Sequence, residues 1–387
     1  MHANPSSADI LARLVGFDTT SRNSNLDLIA WVRDWLDGQG IPYRMSTNPA
    51  GTKANLHAVV GPPVAGGVAL SGHVDTVPVD NQDWRTDPHR LHAENGRLYG
   101  RGAVDMKGFV ACALAAVPRL RARNLAQPVH LFLTYDEEVD CSGARRLAAD
   151  LAESGLRPRV CIVGEPSGMQ PIVAHKGKFD VAVRVRGRAG HSSMPHQGVN
   201  AVQAAAEAIA WIAADARRRA AEGPFVDGFD PPHTTVHVGT FQGGEILNII
   251  PEHARFVMEW RTVPGDDAPA ALAALQDHVA RTIEPAMHAV DPATGFEWET
   301  LVALPGLSLD PRDPLADMVR QLSGSNTAGK VSYVTEGGVY QHEAGIPTIV
   351  CGPGHIAQAH RPDEYIDVSQ LDACDAFIDR LAERLLA

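Results

Sequence analysis

Apolar and polar positions along the chain fall into two successive styles. From Ser7 to Gly16 and from Asn25 to Gln39 apolar residues recur at helical spacing, and Gly40-Ile41-Pro42 stops the second run. Asn55 to Val60 and Val68 to Ser71 are short apolar runs, as expected of buried strands. An alanine-rich helix is predicted over Met106 to Arg123 and a strand over Val129 to Thr134. A helix over Ser142 to Glu153 and a strand over Val160 to Val163 follow. Strands alternating with helices predict an α/β fold, a mostly parallel sheet with helices on both faces.

The style changes near Lys178. From Phe179 the sequence Phe-Asp-Val-Ala-Val-Arg-Val-Arg alternates like a half-exposed strand. A long helix (Ala201 to Glu222), two strands (Thr234 to Phe241 and Ala254 to Arg261), a helix (Ala268 to Ile283) and a strand near Phe296 to Val302 come next. This β-α-β-β-α-β order predicts a smaller α+β, ferredoxin-like unit with one solvated sheet face. From Pro314 the first style resumes. The expected organisation is a catalytic domain in two parts, 1–177 and 304–387, interrupted by a lid or dimerisation domain, 178–303. No internal repeat or low-complexity tract breaks the pattern.

Composition narrows the function classes. At 387 residues the chain is too long for one simple core, and 44% hydrophobic with 21% charged residues is an ordinary globular balance. The formal net charge of −12 argues against nucleic acid as a partner. Cys112, Cys141, Cys161, Cys351 and Cys374 are scattered without a CxxC pair, which suits a reducing compartment rather than a disulfide framework. The N-terminus lacks the basic and apolar regions of a signal peptide, and the apolar run Val110 to Val117 is too short to span a bilayer. The expectation is a cytoplasmic protein with no membrane partner.

Candidate chemistry gathers at the predicted strand ends. Ser71-Gly-His73-Val-Asp75 places an imidazole and a carboxylate two residues apart, where strand side chains share a face. The pair reads either as a metal-binding histidine oriented by an acid or as a solvated strand end. Asp105 lies in the glycine-rich Gly100-Arg-Gly-Ala-Val-Asp-Met-Lys-Gly108, as a ligand or as a helix N-cap. Asp136-Glu137-Glu138 are three adjacent acids that need either a cation or full exposure. Glu165 ends the next strand, and His355 and His360 follow the last one. Histidine with carboxylate and no cysteine suits Zn²⁺, Co²⁺ or Mn²⁺ at a hydrolytic centre. No GxSxG elbow, P-loop or GxGxxG competes with it.

These motifs, in this order, resemble the M20 family of metallopeptidases and amidohydrolases. The resemblance runs from about Ser71 to Tyr365 and rests on SGHVDTVP, LYGRGAVDMKG, TYDEEVDCSGA, VGEP, GRAGHSSMPHQGVNA, LNIIPEHARF and GPGHIAQAHRPDEY. Within the family the chain is most similar to the acetylornithine deacetylases, through GEPSGMQPIVAHKG, the stretch from His233 to Gly265 and QAHRPDEYI. The resemblance implies two divalent metal ions, Zn or Co, with His73 and Glu138 or Glu165 as terminal ligands, Asp105 bridging, and His360 completing the second metal's shell. It further implies Glu137 as general base and Asp75 as the group that orients His73. His191 would hold the oxyanion from the lid, Asn248 and Arg261 would contact substrate, and a homodimer would form through the lid. His355 stands where the family more often has Ser or Asp, and it rivals the preferred His360 as a ligand. Tyr135 and Gly337-Gly338 also depart from the usual pattern.

The implied chemistry is coherent. Two metals roughly 3.5–4 Å apart polarise an amide carbonyl and acidify water, and a carboxylate such as Glu137 moves the proton to the leaving amine. The expected reaction converts N²-acetyl-L-ornithine, a small N-acyl amino acid, to L-ornithine and acetate. A succinyl-diaminopimelate desuccinylase, an aminoacylase, a carboxypeptidase or a non-catalytic metal-binding protein are the alternatives. His57, His89, His92, His130 and His288 read as structural. His175 and Lys176 either contact substrate or turn the chain, and Arg217 to Arg219 read as a solvated helix face.

Overall fold

A computed structural model describes residues 4–386. By the density of their internal packing, the described residues divide into two compact units, one of 4–174, 307–330 and 335–386, the other of 175–306 and 331–334.

The first unit is built on a nine-stranded sheet. Its centre is parallel: Val68–His73 lies between Val129–Thr134 and Val160–Pro166, and Thr348–Gly352 pairs on the far side of the last. Antiparallel strands extend one flank, with Ala54–Val60 on Val129–Thr134 and Tyr43–Thr47 outside it. The central strands are buried throughout, which explains their unbroken apolar runs. The helix Lys107–Arg121 is buried along nearly its whole length. It packs on Ser7–Val15 and on Val368–Arg384 in one apolar core.

Two glycines let this layer close tightly. A Cβ on Gly164 would lie 1.9 Å from Phe109 Cγ, and one on Gly352 would lie 1.9 Å from the Gly164 carbonyl oxygen. The strand ends carrying Glu165 and preceding His355 therefore approach the buried helix and each other more closely than any side chain allows.

The second unit has a four-stranded antiparallel sheet in the order Thr235–Gly243, His253–Thr262, Gly177–Arg186, Gly295–Leu304. Phe179, Val181, Val183 and Val185 face a core shared with the helices Ala201–Glu222 and Ala268–Thr282, while Arg184 and Arg186 face outward. One of the arginines read as solvated is not. Arg219 is buried, donating from Nε to Asp215 (2.7 Å) and from Nη1 to Asp266 (2.8 Å), because its helix turns that position toward the loop before the next helix. All five cysteines are buried and free. Among the described residues no helix is long and apolar enough to cross a membrane.

Replacing Gly164 by Ala forces a methyl group into the Phe109 ring. The expected cost is about 3 kcal/mol, the upper range for overpacking, read as a lowered urea midpoint at unchanged slope.

Candidate metal centre

The candidate residues of the first unit meet at the carboxyl ends of the parallel strands, where open α/β sheets carry their sites. His73 is the last residue of its strand, and Glu137 and Glu138 lie in the turn after Thr134. Glu165 ends the neighbouring strand, His360 follows the strand ending at Gly352, and Asp105 precedes the helix at Lys107. The cap position of that helix is Met106, and no side chain caps it, so the capping role open to Asp105 in the sequence is not the one it plays.

Asp105 is the hub. Its Oδ1 lies 3.1 Å from His73 Nε2 and its Oδ2 lies 3.2 Å from His360 Nε2, so each oxygen faces a different imidazole. Glu165 Oε1 is 3.5 Å from His73 Nε2, and Glu138 Oε1 is 3.2 Å from His360 Nε2. Two half-sites result: His73, Asp105 and Glu165 on one side, and His360, Asp105 and Glu138 on the other. Of the two glutamates that the resemblance left as alternatives, Glu165 stands nearer His73 and Glu138 nearer His360. Glu137 Oε2 stands 4.0 Å from His73 Nε2. Ligand-type atoms of His73, Glu137 and Glu165 lie within 4.8 Å of one another, as do those of His73, Asp105 and Glu138.

The tautomer of His73 is fixed by its surroundings. Nδ1 sits 3.0 Å from the Asp75 carbonyl oxygen, which can only accept, so Nδ1 carries the hydrogen. In the neutral ring Nε2 then holds a lone pair directed at Asp105 and Glu165, the arrangement of a metal-binding histidine.

The electrostatics call for cations. Glu165 and Glu137 are pushed well above the usual carboxylate range by burial, with repulsion from Asp105 adding at both. Glu138 is raised by burial and then by Asp105. Burial opposes ionisation of Asp105 too, but hydrogen bonds from His360 and His73 hold its carboxyl low. Burial alone would lower His73, yet Asp105 and Asp75, helped by Glu165 and Glu137, drive it well above its ordinary value. His360 is raised to about 10 by Asp105 and Glu138. Among the described residues no lysine or arginine pairs with Asp105, Glu137, Glu138 or Glu165. A donor set of two imidazoles and crowded carboxylates, without thiolate, fits divalent cations.

Three supports were not evident from the sequence. The Asp75 carboxylate lies 3.5 Å from His73 Nδ1, farther than its own carbonyl, and accepts the N–H groups of Glu137 (3.1 Å) and Glu138 (3.3 Å) and the Ser21 hydroxyl (2.7 Å). It therefore shapes the turn carrying both glutamates as well as facing the imidazole. Glu364 is fully buried, receives Arg101 Nη1 at 2.7 Å, and accepts the N–H groups of Gly102, Val104 and Asp105 at 3.0, 2.9 and 3.2 Å. Beneath the His73 strand, Glu336 Oε2 accepts from Ser71 (3.3 Å) and Tyr340 (3.4 Å), all three fully buried. The spacing to His73 and the TEGG sequence carry no pattern that would have singled out this last group.

His355 makes no ion pair with the four carboxylates, whereas His360, in the left-handed backbone region at φ 60, reaches Asp105 and Glu138. Residues expected on the lid belong to the second unit. His191 is exposed there, and the Ser193 N–H donates to its Nδ1 at 3.2 Å, leaving Nε2–H as an outward donor in the neutral ring. Asn248 is exposed, its carbonyl accepting the Ser192 N–H at 3.1 Å. Arg261 is half-buried and pairs through Nη2 with Glu259 at 2.9 Å, so it is not a free cation. His175 and Lys176 are buried, with Lys176 Nζ donating to the His233 carbonyl at 2.7 Å.

The family description "Peptidase family M20/M25/M40" matches residues 69–384. Solved structures share the fold over nearly the whole length. Aminopeptidase PepT from Bacillus cereus is 19% identical over 99% of each chain, with a TM-score of 0.76. The M20 family metallo-carboxypeptidase Sso-CP2 from Sulfolobus solfataricus is 17% identical over 98% of this chain and 99% of its own, with a TM-score of 0.75. The Bacillus subtilis YXEP protein, a dinuclear metal binding peptidase from the M20 family, is 16% identical over 98% and 97%, with a TM-score of 0.66. At these identities the structural likeness speaks for the fold.

The half-sites make separable predictions for metal content, measured by elemental analysis after loading and desalting. Glu138→Ala and His360→Ala are each expected to lower the stoichiometry from two per chain, the number of a co-catalytic site. Glu137→Ala and His355→Ala are expected to leave it unchanged. Loss of metal in the His355 variant but not in the His360 variant would exchange their roles.

Proposed function

The chain belongs to peptidase family M20/M25/M40, and from that premise we propose that it is a two-metal amide hydrolase that removes the acyl group from the nitrogen of a small amino acid. The substrate in this reading is N²-acetyl-L-ornithine, and water converts it to L-ornithine and acetate. The observation that carries the reaction type is the Asp105 carboxylate, whose two oxygens face two different histidines inside a buried acidic cluster.

Each residue has a role that its surroundings support. His73 and Glu165 would hold one cation and His360 and Glu138 the other, with Asp105 offering one oxygen to each side. When bound, the two cations supply Lewis acidity, polarising the amide carbonyl and making water a nucleophile near neutral pH. Glu137, buried 4.0 Å from His73 Nε2, takes a proton from water and returns it to the leaving nitrogen as the C–N bond breaks. His191 offers Nε2–H to the oxyanion of the tetrahedral intermediate. Asn248 and Arg261 bind the rest of the substrate, Arg261 by the guanidinium donors that Glu259 does not use, a fit for an α-carboxylate. The acyl and amino-acid preference rests on resemblance to acetylornithine deacetylases in the stretches around the second unit and the last histidine. The net charge of −12 supports it modestly by attracting the substrate's side-chain ammonium. Homodimerisation through the second unit is part of the same reading.

Two measurements test it. Exhaustive chelation should abolish hydrolysis, Zn²⁺ or Co²⁺ should restore it, and Glu137→Ala should lose roughly 10²–10⁴-fold in kcat with both metals retained. Under one metal condition, kcat/KM should rank acetylornithine above acetyl-lysine, acetyl-methionine, succinyl-diaminopimelate and dipeptides. An extra methylene is rejected by only about 1–3 kcal/mol, so acetyl-lysine should retain partial activity. A tenfold preference for the succinyl compound or a dipeptide would replace the substrate and leave the metal mechanism standing.

A further inference from the structure

His360 stands on irregular chain. Residues 359–364 belong to no helix or strand, yet the imidazole comes within 3.2 Å of both Asp105 and Glu138. His360 and Asp363 both have left-handed backbones, at φ 60 and φ 56, a region that residues other than glycine seldom occupy. A segment in that conformation persists only where its surroundings hold it.

The holding groups come from the loop of residues 82–85. Asp363 accepts the Arg85 backbone N–H at 2.9 Å and the Arg85 Nε–H at 2.7 Å. Gln82 acts on His360 itself. Its Oε1 accepts from Arg101 Nη2 at 2.6 Å and from Trp84 Nε1 at 3.1 Å. Both of those groups can only donate, so the orientation of the amide is fixed. Its Nε2 therefore faces the His360 carbonyl oxygen, at 3.3 Å. Arg101 lies over the Trp84 ring at 5.1 Å and binds Glu364, whose carboxylate accepts the Asp105 N–H. A single side-chain amide thus joins the two stretches of backbone that present Asp105 and His360.

We propose that Gln82 is the positioning residue for His360. Its amide sets where the imidazole meets Asp105, and with that the affinity of the half-site of His360, Asp105 and Glu138 for its cation. The proposal rests on the two-metal reading above. His73 ends a strand, and its Nδ1 is held by the Asp75 carbonyl, so its half-site does not depend on Gln82. Nothing in the sequence around Gln82 marks this role, since the carbonyl it serves lies 278 residues further on.

The test is calorimetric titration of the metal-free full chain with Zn²⁺, alongside urea unfolding of the same samples. Gln82→Ala is expected to weaken one of the two cations by roughly tenfold or more, the usual effect of removing a group that orients a ligand. The other cation and the urea midpoint should be unchanged. Gln82→Glu keeps the acceptor for Arg101 and Trp84 and loses only the N–H₂ toward His360, so it should show the same selective loss despite its added negative charge. Combined with His360→Ala, the Gln82→Ala change should add nothing further, because both remove one interaction. Wild-type affinity for both cations in either Gln82 variant would overturn the proposal. Equal weakening of both cations with a lowered urea midpoint would also overturn it, by reducing Gln82 to a support of the fold. A wild-type chain that takes up no second cation would instead overturn the two-metal reading, and this inference with it.

Discussion

Four carboxylates, Asp105, Glu137, Glu138 and Glu165, are packed together around two imidazoles, with no lysine or arginine among the described residues paired to any of them. Desolvating a single ion costs several kcal/mol even after the protein relaxes, and like charges at this distance add to it. Burial and mutual repulsion push Glu137, Glu138 and Glu165 above the usual carboxylate range, and the neighbouring carboxylates raise the two histidines. Such a cluster would be a poor way to hold a fold together. A concentrated negative potential with preset lone pairs is instead a means of binding positive charge, and the surrounding structure serves to keep it assembled.

Keeping it assembled falls to carboxylates that are not among the proposed ligands. Asp75 gathers the amides of Glu137 and Glu138, and Glu364 gathers those of Gly102, Val104 and Asp105 while neutralised by Arg101. Lys53 binds Asp136 and the Ser21 carbonyl, which secures the first acid of the turn away from the other two. Asp75 and Glu364 bond to backbone, so each fixes where a ligand-bearing segment runs as well as where one side chain points. Positioning of this kind is what a site built on strand ends requires, since loops alone leave side chains too loose for chemistry. The absent Cβ atoms at Gly164 and Gly352 belong to the same requirement, because they bring two of these strand ends into direct contact.

Much of this was legible in the sequence. The unbroken apolar runs gave the parallel centre of the sheet, and the alternating stretch after Lys178 gave a sheet with one wet face, because burial on two sides or one is written directly into residue order. The acids and histidines at strand ends were equally visible, since a buried acid is rare enough to be noticed. Less legible was the outermost antiparallel strand on the flank of the parallel sheet. Tyr43–Thr47 is an edge strand with mixed burial and so has no strong period. The expectation for Asp75 was partly right in kind: it does face His73, but the strand stops at His73, and the carbonyl of Asp75 makes the closer contact.

The supports were illegible for a physical reason that applies beyond this chain. A period can be read from sequence because neighbours on one element share an environment, and a motif can be read because its residues act on one another at short range. Glu364 acts on the amide of Val104 across 260 residues of chain. A backbone amide has no residue identity, so nothing at position 104 advertises the partnership. Arg219 was misread for the same reason. Its neighbours in sequence are two other arginines, and of its two partners Asp215 is one helical turn back while Asp266 lies 47 residues away, where the fold alone brings it. The same limit hid the His57–His130 pair, whose members sit on adjacent strands and acquire a fixed hydrogen-bond direction only because Gly66 offers a carbonyl at the end of the row. What sequence conceals here is therefore specific: contacts in which one partner is backbone or in which the chain separation is large. Those contacts decide the tautomers, and the tautomers decide which nitrogen is left for a ligand.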